Sequence, residues 1–317
     1  MRIWWLGALW AGCNDVPDPD ADARWEEAFE VGDETALSGV WGSGPDDVYM
    51  VGGDETRGAV YHFDGTDWVE DDTIATEDLL VWVFGFGADD VWIVGETGTV
   101  LRGSVGDWSP VDVGTAEPLW GVWGAAPDDL WIVGGSPLGD APVLLHWDGA
   151  SITPATLAPE QNDRKAVALF KVWGIDGRTF AVGQNGLIIE LQGEEWVQMP
   201  AGADANDDFV SLWGTSGDRI VAVGGRSSAR IATFDGTAWT TLASSTTPGL
   251  NAVALVSPEE VVIGGINGWV GRYDPDSGEL TGENVVDGVS DVHAAWFDGA
   301  DTTWGVSGRF TEPFRGT

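Results

Sequence analysis

Residues 79–113 read LLVWVFGFGADDVWIVGETGTVLRGSVGDWSPVDV, and variants of this stretch recur along almost the whole chain, a constraint stronger than any other in the sequence. Four short runs rich in Val, Trp, Ile and Leu are broken by Gly-Ala-Asp-Asp, Glu-Thr-Gly and Val-Gly-Asp, which are turn-forming combinations. The pattern predicts four antiparallel strands at residues 80–86, 91–96, 99–105 and 108–113, named first to fourth within each repeat. An aromatic-glycine pair marks the first strand at Trp41-Gly42, Phe84-Gly85, Trp123-Gly124, Trp173-Gly174 and Trp213-Gly214, with looser matches at Ala254 and Trp296. The steps between these positions are 43, 39, 50, 40, 41 and 42 residues. The second strand has an apolar column at Tyr49, Trp92, Trp131, Phe180, Val221, Val262 and Trp304. Fourth strands open at Trp68, Trp108, Ile152, Trp196, Trp239 and Leu280, one fewer than the first strands.

One such sheet cannot bury two apolar faces, whereas copies packed face to face can. Runs such as VWIV are continuously apolar, as doubly covered strands should be. The missing fourth strand suggests how the ends meet. Trp25 stands 16 residues before Trp41, the spacing that also separates Trp68 from Phe84 and Leu280 from Trp296. Residues 25–31 are therefore expected to form the outer strand of the last module, with its other three strands running from Val292 to the C-terminus. The expected fold is all-β: a seven-bladed β-propeller of four-stranded antiparallel blades, the last closed by the N-terminal strand near Trp25, with first strands lining the axis. This assigns 1–12 to a signal peptide, 13–23 to a tether beginning at a lipidated cysteine, and 24–317 to the propeller.

Charge narrows the function. With 14 basic and 52 acidic residues the net charge is −38, which repels nucleic-acid backbones and anionic bilayers. Self-repulsion of this size should be relieved by salt or divalent ions. No cofactor is implied beyond non-specific Ca2+ or other cations on an acidic face. The opening MRIWWLGALWAGC has one charge, a short apolar run, small residues and the chain's single cysteine. It resembles a bacterial lipoprotein signal with Ala11-Gly12-Cys13 as its processing box, and that resemblance implies lipidation of Cys13 and an extracytoplasmic location, periplasmic or on the outer surface. Membrane contact is then expected through the lipid only. Residues 14–23, NDVPDPDADA, fit a solvated tether: Asp18, Asp20 and Asp22 have calcium-loop spacing, but the glycine and the distal glutamate are absent. The run from Asp204 to Asp208 fails the same test, and no His/Cys spacing suits a metal.

Blade topology sorts the turns between two ends. First-to-second and third-to-fourth turns lie together and collect Asp46, Asp47, Asp89, Asp90, Asp128, Asp129, Glu259 and Glu260, with Asp64, Asp148, Asp235 and Asp276. Asp suits such turns because its side chain caps its own backbone. The other end holds second-to-third turns and inter-blade links, and supplies the candidate ligand residues: Arg57, Arg164, Lys165, Gln184, Asn185, Arg226, Arg230, Asn267 and Trp269. Arg164-Lys165 lies in the insertion that lengthens one step to 50 residues. His62 and His146 share one repeat column with Arg102, Glu190 and Thr233, which makes them solvent-facing members of a pattern rather than catalytic bases.

The segments HFDGTDW at 62–68, TFDGTAW at 233–239 and GETGTVLRGSVGDW at 95–108 resemble kelch and Asp-box (BNR) repeats. They are also similar to repeats of photosystem II assembly factor-like propellers and of secreted bacterial propellers with VWG…DDVW units. The resemblance covers about 24–317. These families include adhesins, assembly factors, lectins and hydrolases, so the resemblance speaks to fold; the reading of the whole chain is a monomeric cell-envelope lipoprotein that binds a protein or a glycan without catalysis. No nucleophile elbow or phosphate-cradling glycine loop is present. The alternative is a glycan hydrolase or lyase of propeller fold, which would need two carboxylates about 5–9 Å apart in an axial pocket.

Overall fold

The computed structural model describes residues 2–7, 24–31, 35–54, 56–285 and 290–308. Six sheets are each made of four consecutive antiparallel strands. In the second repeat these are Leu80–Gly87, Asp90–Gly95, Val100–Ser104 and Asp107–Pro110, within a few residues of the expected ranges. The fourth strand stops early at Pro110, which lacks the N–H needed to extend a ladder. Burial falls outward across each sheet. In the first repeat the second strand, Asp47–Gly53, is buried from Val48 onward, whereas the outermost strand, Trp68–Glu70, is largely exposed.

The expectation of seven like blades, the last closed by the strand near Trp25, is corrected. Six blades are seen that follow the repeat. Among the described residues the C-terminal segment supplies two strands, Asp291–Phe297 and Thr303–Gly308, of the three expected. They belong to an antiparallel sheet built from both ends of the chain, whose third place is taken by Arg2–Gly7, the segment read as signal peptide. Arg24–Glu30 pairs with Arg2–Gly7, Trp25 opposite Leu6, and has no ladder with Thr303–Gly308. The spacing of 16 residues gave a distance from one aromatic to the next. It carried no information about which strand Trp25 would hydrogen-bond. The residues expected to form the third strand, 309–317, lie outside the described ones.

Adjacent sheets are held by the aromatic-glycine pairs themselves. A Cβ on Gly85 would stand 2.7 Å from the Trp41 ring, one on Gly174 2.7 Å from Trp123, and one on Gly214 2.8 Å from Trp173. Each glycine is therefore the seat for the indole of the preceding sheet, and no side chain larger than hydrogen fits while the indole is there. Gly42 receives Trp296 in the same way, at 2.7 Å, so the sheet of the two chain ends packs on the first blade through side chains. Where the ring is missing the glycine is missing too: Ala254 precedes a sheet whose corresponding residue is Phe297. Aromatic side chains each bury roughly 150–250 Å², so these contacts carry a large share of the apolar burial between blades.

Candidate functional site

At the acidic end, an aspartate in each of four third-to-fourth turns is consumed by the fold. Asp64 Oδ1 accepts the amides of Thr66 and Asp67, and Asp148, Asp235 and Asp274 do the same in their own turns. In the sixth repeat the capping residue is Asp274, not the expected Asp276. The amide of Asp67, then that of Thr66, holds the Asp64 carboxyl below its ordinary range, and the corresponding amides do so for Asp148 and Asp235. In Asp274 the Ser277 hydroxyl is the main cause.

The second acid of each Asp-Asp pair meets the histidine column. His62 Nε2 lies 2.7 Å from Asp47, Arg102 Nε 2.7 Å from Asp90, and His146 Nε2 2.8 Å from Asp129. In the fourth repeat the signs are exchanged, with Arg178 on the second strand and Glu190 on the third, 2.7 Å apart. Each of these third-strand side chains also lies on the aromatic column: His62 against Tyr49 at 4.6 Å, His146 against Trp131 at 4.5 Å, and Arg102 over Trp92 at 4.8 Å. The two histidines are thus half-buried parts of a recurring hydrogen-bonding and stacking device. Sequence reasoning took this column for filler, although the Asp at each second-strand start and the basic residue in the third strand were both visible.

At the opposite end, several candidate residues hold up the loops. Gln184 is buried and its carbonyl accepts the amides of Val167 and Ala168. Asn185 and Asn267 occupy the left-handed region, with φ of 57° and 58°, in single 3-10 turns of the form Gln-Asn-Gly and Ile-Asn-Gly. Asn tolerates that conformation better than most residues, so backbone need accounts for its presence there. Trp269 is buried against its own strand and Gly282. Arg230 is spent on Asn206 and on the carbonyls of Ser228 and Ala229. Arg57, in the first blade, is paired with Glu70 and Asp54.

What remains is a cluster between the fourth and fifth repeats. Arg164 donates to the Ala205 carbonyl, and its own carbonyl accepts the Asn185 side chain. Asp208, buried, accepts the Asn185 amide at 2.9 Å and pairs with Arg226 at 2.6 Å. Asp207 accepts the Arg226 amide. The Asp204–Asp208 run, tested above as a calcium loop, is therefore engaged with Asn185 and Arg226. Lys165 is exposed beside Arg164, and the Arg226 side chain is 67 % exposed. Leu138, 75 % exposed, tips the second-to-third loop of the third repeat, and that loop is tied to the fourth by Gln184 donating to the Pro137 carbonyl. Sequence reasoning missed Asp208 and Leu138. Asp208 did leave a signal, since Asp291 stands at the same place before Trp296 and caps the Asn267 amide in the same way. Cys13 lies outside the described residues. Among those described, no group of three or more His, Cys, Asp or Glu side chains could hold a metal ion.

A third feature lies where the first strands converge. A narrow cavity is lined by Trp41, Trp82, Phe84, Trp123, Trp173 and Trp213, by three aliphatic residues and by Lys171. It contains no carboxylate.

No family model matches the sequence, and no curated protein does. Solved structures do match. The chain is a β-propeller. YCF48 bound to D1 peptide aligns with a TM-score of 0.65 at 14 % identity, covering 89 % of this chain and 93 % of that one. YCF48 from Cyanidioschyzon merolae gives 0.64 at 14 %, covering 88 % and 96 %. An inactive virginiamycin B lyase from Staphylococcus aureus gives 0.69 at 12 %, covering 89 % and 97 %. At such identities the likeness is one of fold.

Proposed function

We propose that the mature protein, from which the Arg2–Gly7 strand is removed with the signal peptide, is a non-catalytic binding module of the cell envelope, anchored through a lipid on Cys13, that holds a protein or glycan ligand at the loop end of its fourth and fifth repeats. The observation that carries this reading is the braced cluster of Arg164, Lys165, Asn185 and Arg226. On a chain of net charge −38, these exposed cations sit on loops fixed by Asp207 and Asp208. Rigid loops presenting exposed charge lower the ordering cost of binding and favour an acidic partner. That YCF48 is a propeller seen with a peptide bound supports a peptide as the ligand. The Asp-capped turns support a place among kelch- and Asp-box-like secreted bacterial propellers. The absence of a carboxylate from the axial cavity favours binding over a glycan hydrolase or lyase.

Two measurements test it. A pull-down from detergent-solubilised envelope should recover a ligand with the wild type and lose it with Lys165→Ala/Arg226→Ala, while both proteins remain folded by circular dichroism at the temperature of the assay. Recovery unchanged by the double substitution refutes the site. For the anchor, wild-type protein expressed in a bacterium is expected in the detergent phase of a Triton X-114 partition and Cys13→Ser in the aqueous phase; identical partitioning refutes lipidation.

A further inference from the structure

One strand of the sheet built from both chain ends belongs to the segment read as signal peptide. Arg2–Gly7 lies between Arg24–Glu30 and Thr303–Gly308 and is antiparallel to both. On one side Trp4 stands opposite Gly305, Trp5 opposite Trp304 and Leu6 opposite Thr303; on the other, the same residues face Glu27, Glu26 and Trp25. Neighbouring strands are spaced so that loss of a central one leaves a slot one strand wide, with about 10 Å between the flanking backbones.

Both walls of that slot are held from outside it. Thr303–Gly308 is paired along its far side with Asp291–Phe297, from Gly308 opposite Asp291 to Thr303 opposite Phe297. Trp304 is buried, its ring 5.6 Å from Phe63 and 5.3 Å from Trp68 of the first blade. Arg24–Glu30 is fastened to the same blade by Phe29, 5.0 Å from Trp68 and 5.5 Å from Tyr61. Sliding Arg24–Glu30 inward to close the gap would take Phe29 off that stack. The sequence after Gly308 suits the slot poorly. A two-residue hairpin turn would consume Arg309 and Phe310, and Pro313, which has no N–H, does not fit a strand paired on both sides.

We propose that in the mature protein this slot binds an extended apolar segment of a partner protein, which completes the sheet in the place of Arg2–Gly7. Open edges on both sides offer two ladders of backbone hydrogen bonds, the means by which a sheet recognises an added strand. Register sets the side-chain preference. A residue opposite Trp304 shares its face and meets the cluster with Phe63 and Trp68, so an apolar one is favoured; a residue opposite Gly305 faces a position without Cβ and can be large. The outer wall, RWEEAFE, has three glutamates against one arginine, so a basic flank is favoured as well. Arg2–Gly7 itself, RIWWLG, has this pattern over six residues. The inference rests on the removal of residues 1–12 proposed above and is independent of the loop-end site.

The test uses protein purified from bacteria expressing the full chain, its processing checked by intact mass, and the fluorescein-labelled peptide RIWWLG. Fluorescence polarisation should show saturable binding. The backbone amides of residues 303–308 should exchange with deuterium at least about tenfold more slowly with the peptide bound than without it. The same peptide N-methylated at Trp5 keeps every side chain but lacks one ladder donor, and it should bind at least about tenfold more weakly. No binding, or equal binding of the two peptides, overturns the proposal. Amides at 303–308 that are as protected without the peptide as with it overturn it too, because the slot is then already closed. An intact mass that retains residues 1–12 refutes the processing, and the slot with it.

Discussion

In urea titrations Trp41→Ala loses about 3–5 kcal/mol, Gly85→Ala loses about 1–3 kcal/mol, and the double variant is more stable than the sum of the two losses allows. Trp41 is buried, and its indole covers the spot where an alanine methyl at position 85 would sit. Removing the indole leaves a cavity. Adding the methyl while the indole remains forces one of them to move. With the indole gone, the methyl enters the vacated space and part of its cost disappears, although the Asp90 carbonyl oxygen, 2.9 Å from that position, keeps the compensation incomplete. A coupling of about 1 kcal/mol is expected for groups in such contact. Strict additivity would mean that the glycine serves only its own strand and that sheets are registered by something else.

The second large effect concerns Asp71, in the link from the first blade to the second. Its carboxylate accepts the amide and hydroxyl of Thr73, the amide of Gly106 at 2.8 Å and the indole N–H of Trp108 at 2.8 Å. Asp71→Ala leaves the Gly106 and Trp108 donors without an acceptor and is expected to cost about 2–3 kcal/mol at pH 7. Burial alone would raise the Asp71 pKa. The hydrogen bonds from Thr73, Gly106 and Trp108 together outweigh it, and the value lies below the ordinary 3.8. A depressed folded-state pKa gives stability that is present above the unfolded value and disappears as pH falls through the folded one. The difference in urea midpoint between wild type and variant should thus persist from pH 7 to about 4 and shrink below it. A difference independent of pH down to 2 would show that the charge of Asp71 contributes nothing.

The repeat made most of the fold legible, because a turn signal and an apolar run every ten residues or so fix strands without reference to anything distant. Ring closure was not legible in that way. It depends on which strand lies beside Thr303–Gly308, a pairing between the two ends of the chain that residue spacing does not encode. The candidate site was half legible. Loop topology places Arg164, Lys165, Asn185 and Arg226 at one end, where Asp208 links Asn185 to Arg226, whereas Gln184 and Arg230, placed there by the same rule, have their polar atoms engaged with backbone, and Trp269 is buried. Loop position says which end a residue occupies. It does not say whether its polar atoms are already spent on the backbone. Lys171 was missed for the opposite reason: a lone lysine in an apolar strand conveys little until its place over the Trp82 ring is known.

The loop-end account is tested most directly by photo-crosslinking in intact cells. A photoreactive residue at exposed Ser227, next to Arg226, is compared with one at exposed Asp128 on the acidic end. The account predicts a ligand adduct from position 227 that disappears when Lys165→Ala is added, and none from 128. Adducts from 128 alone, or equal adducts from both positions, would contradict it.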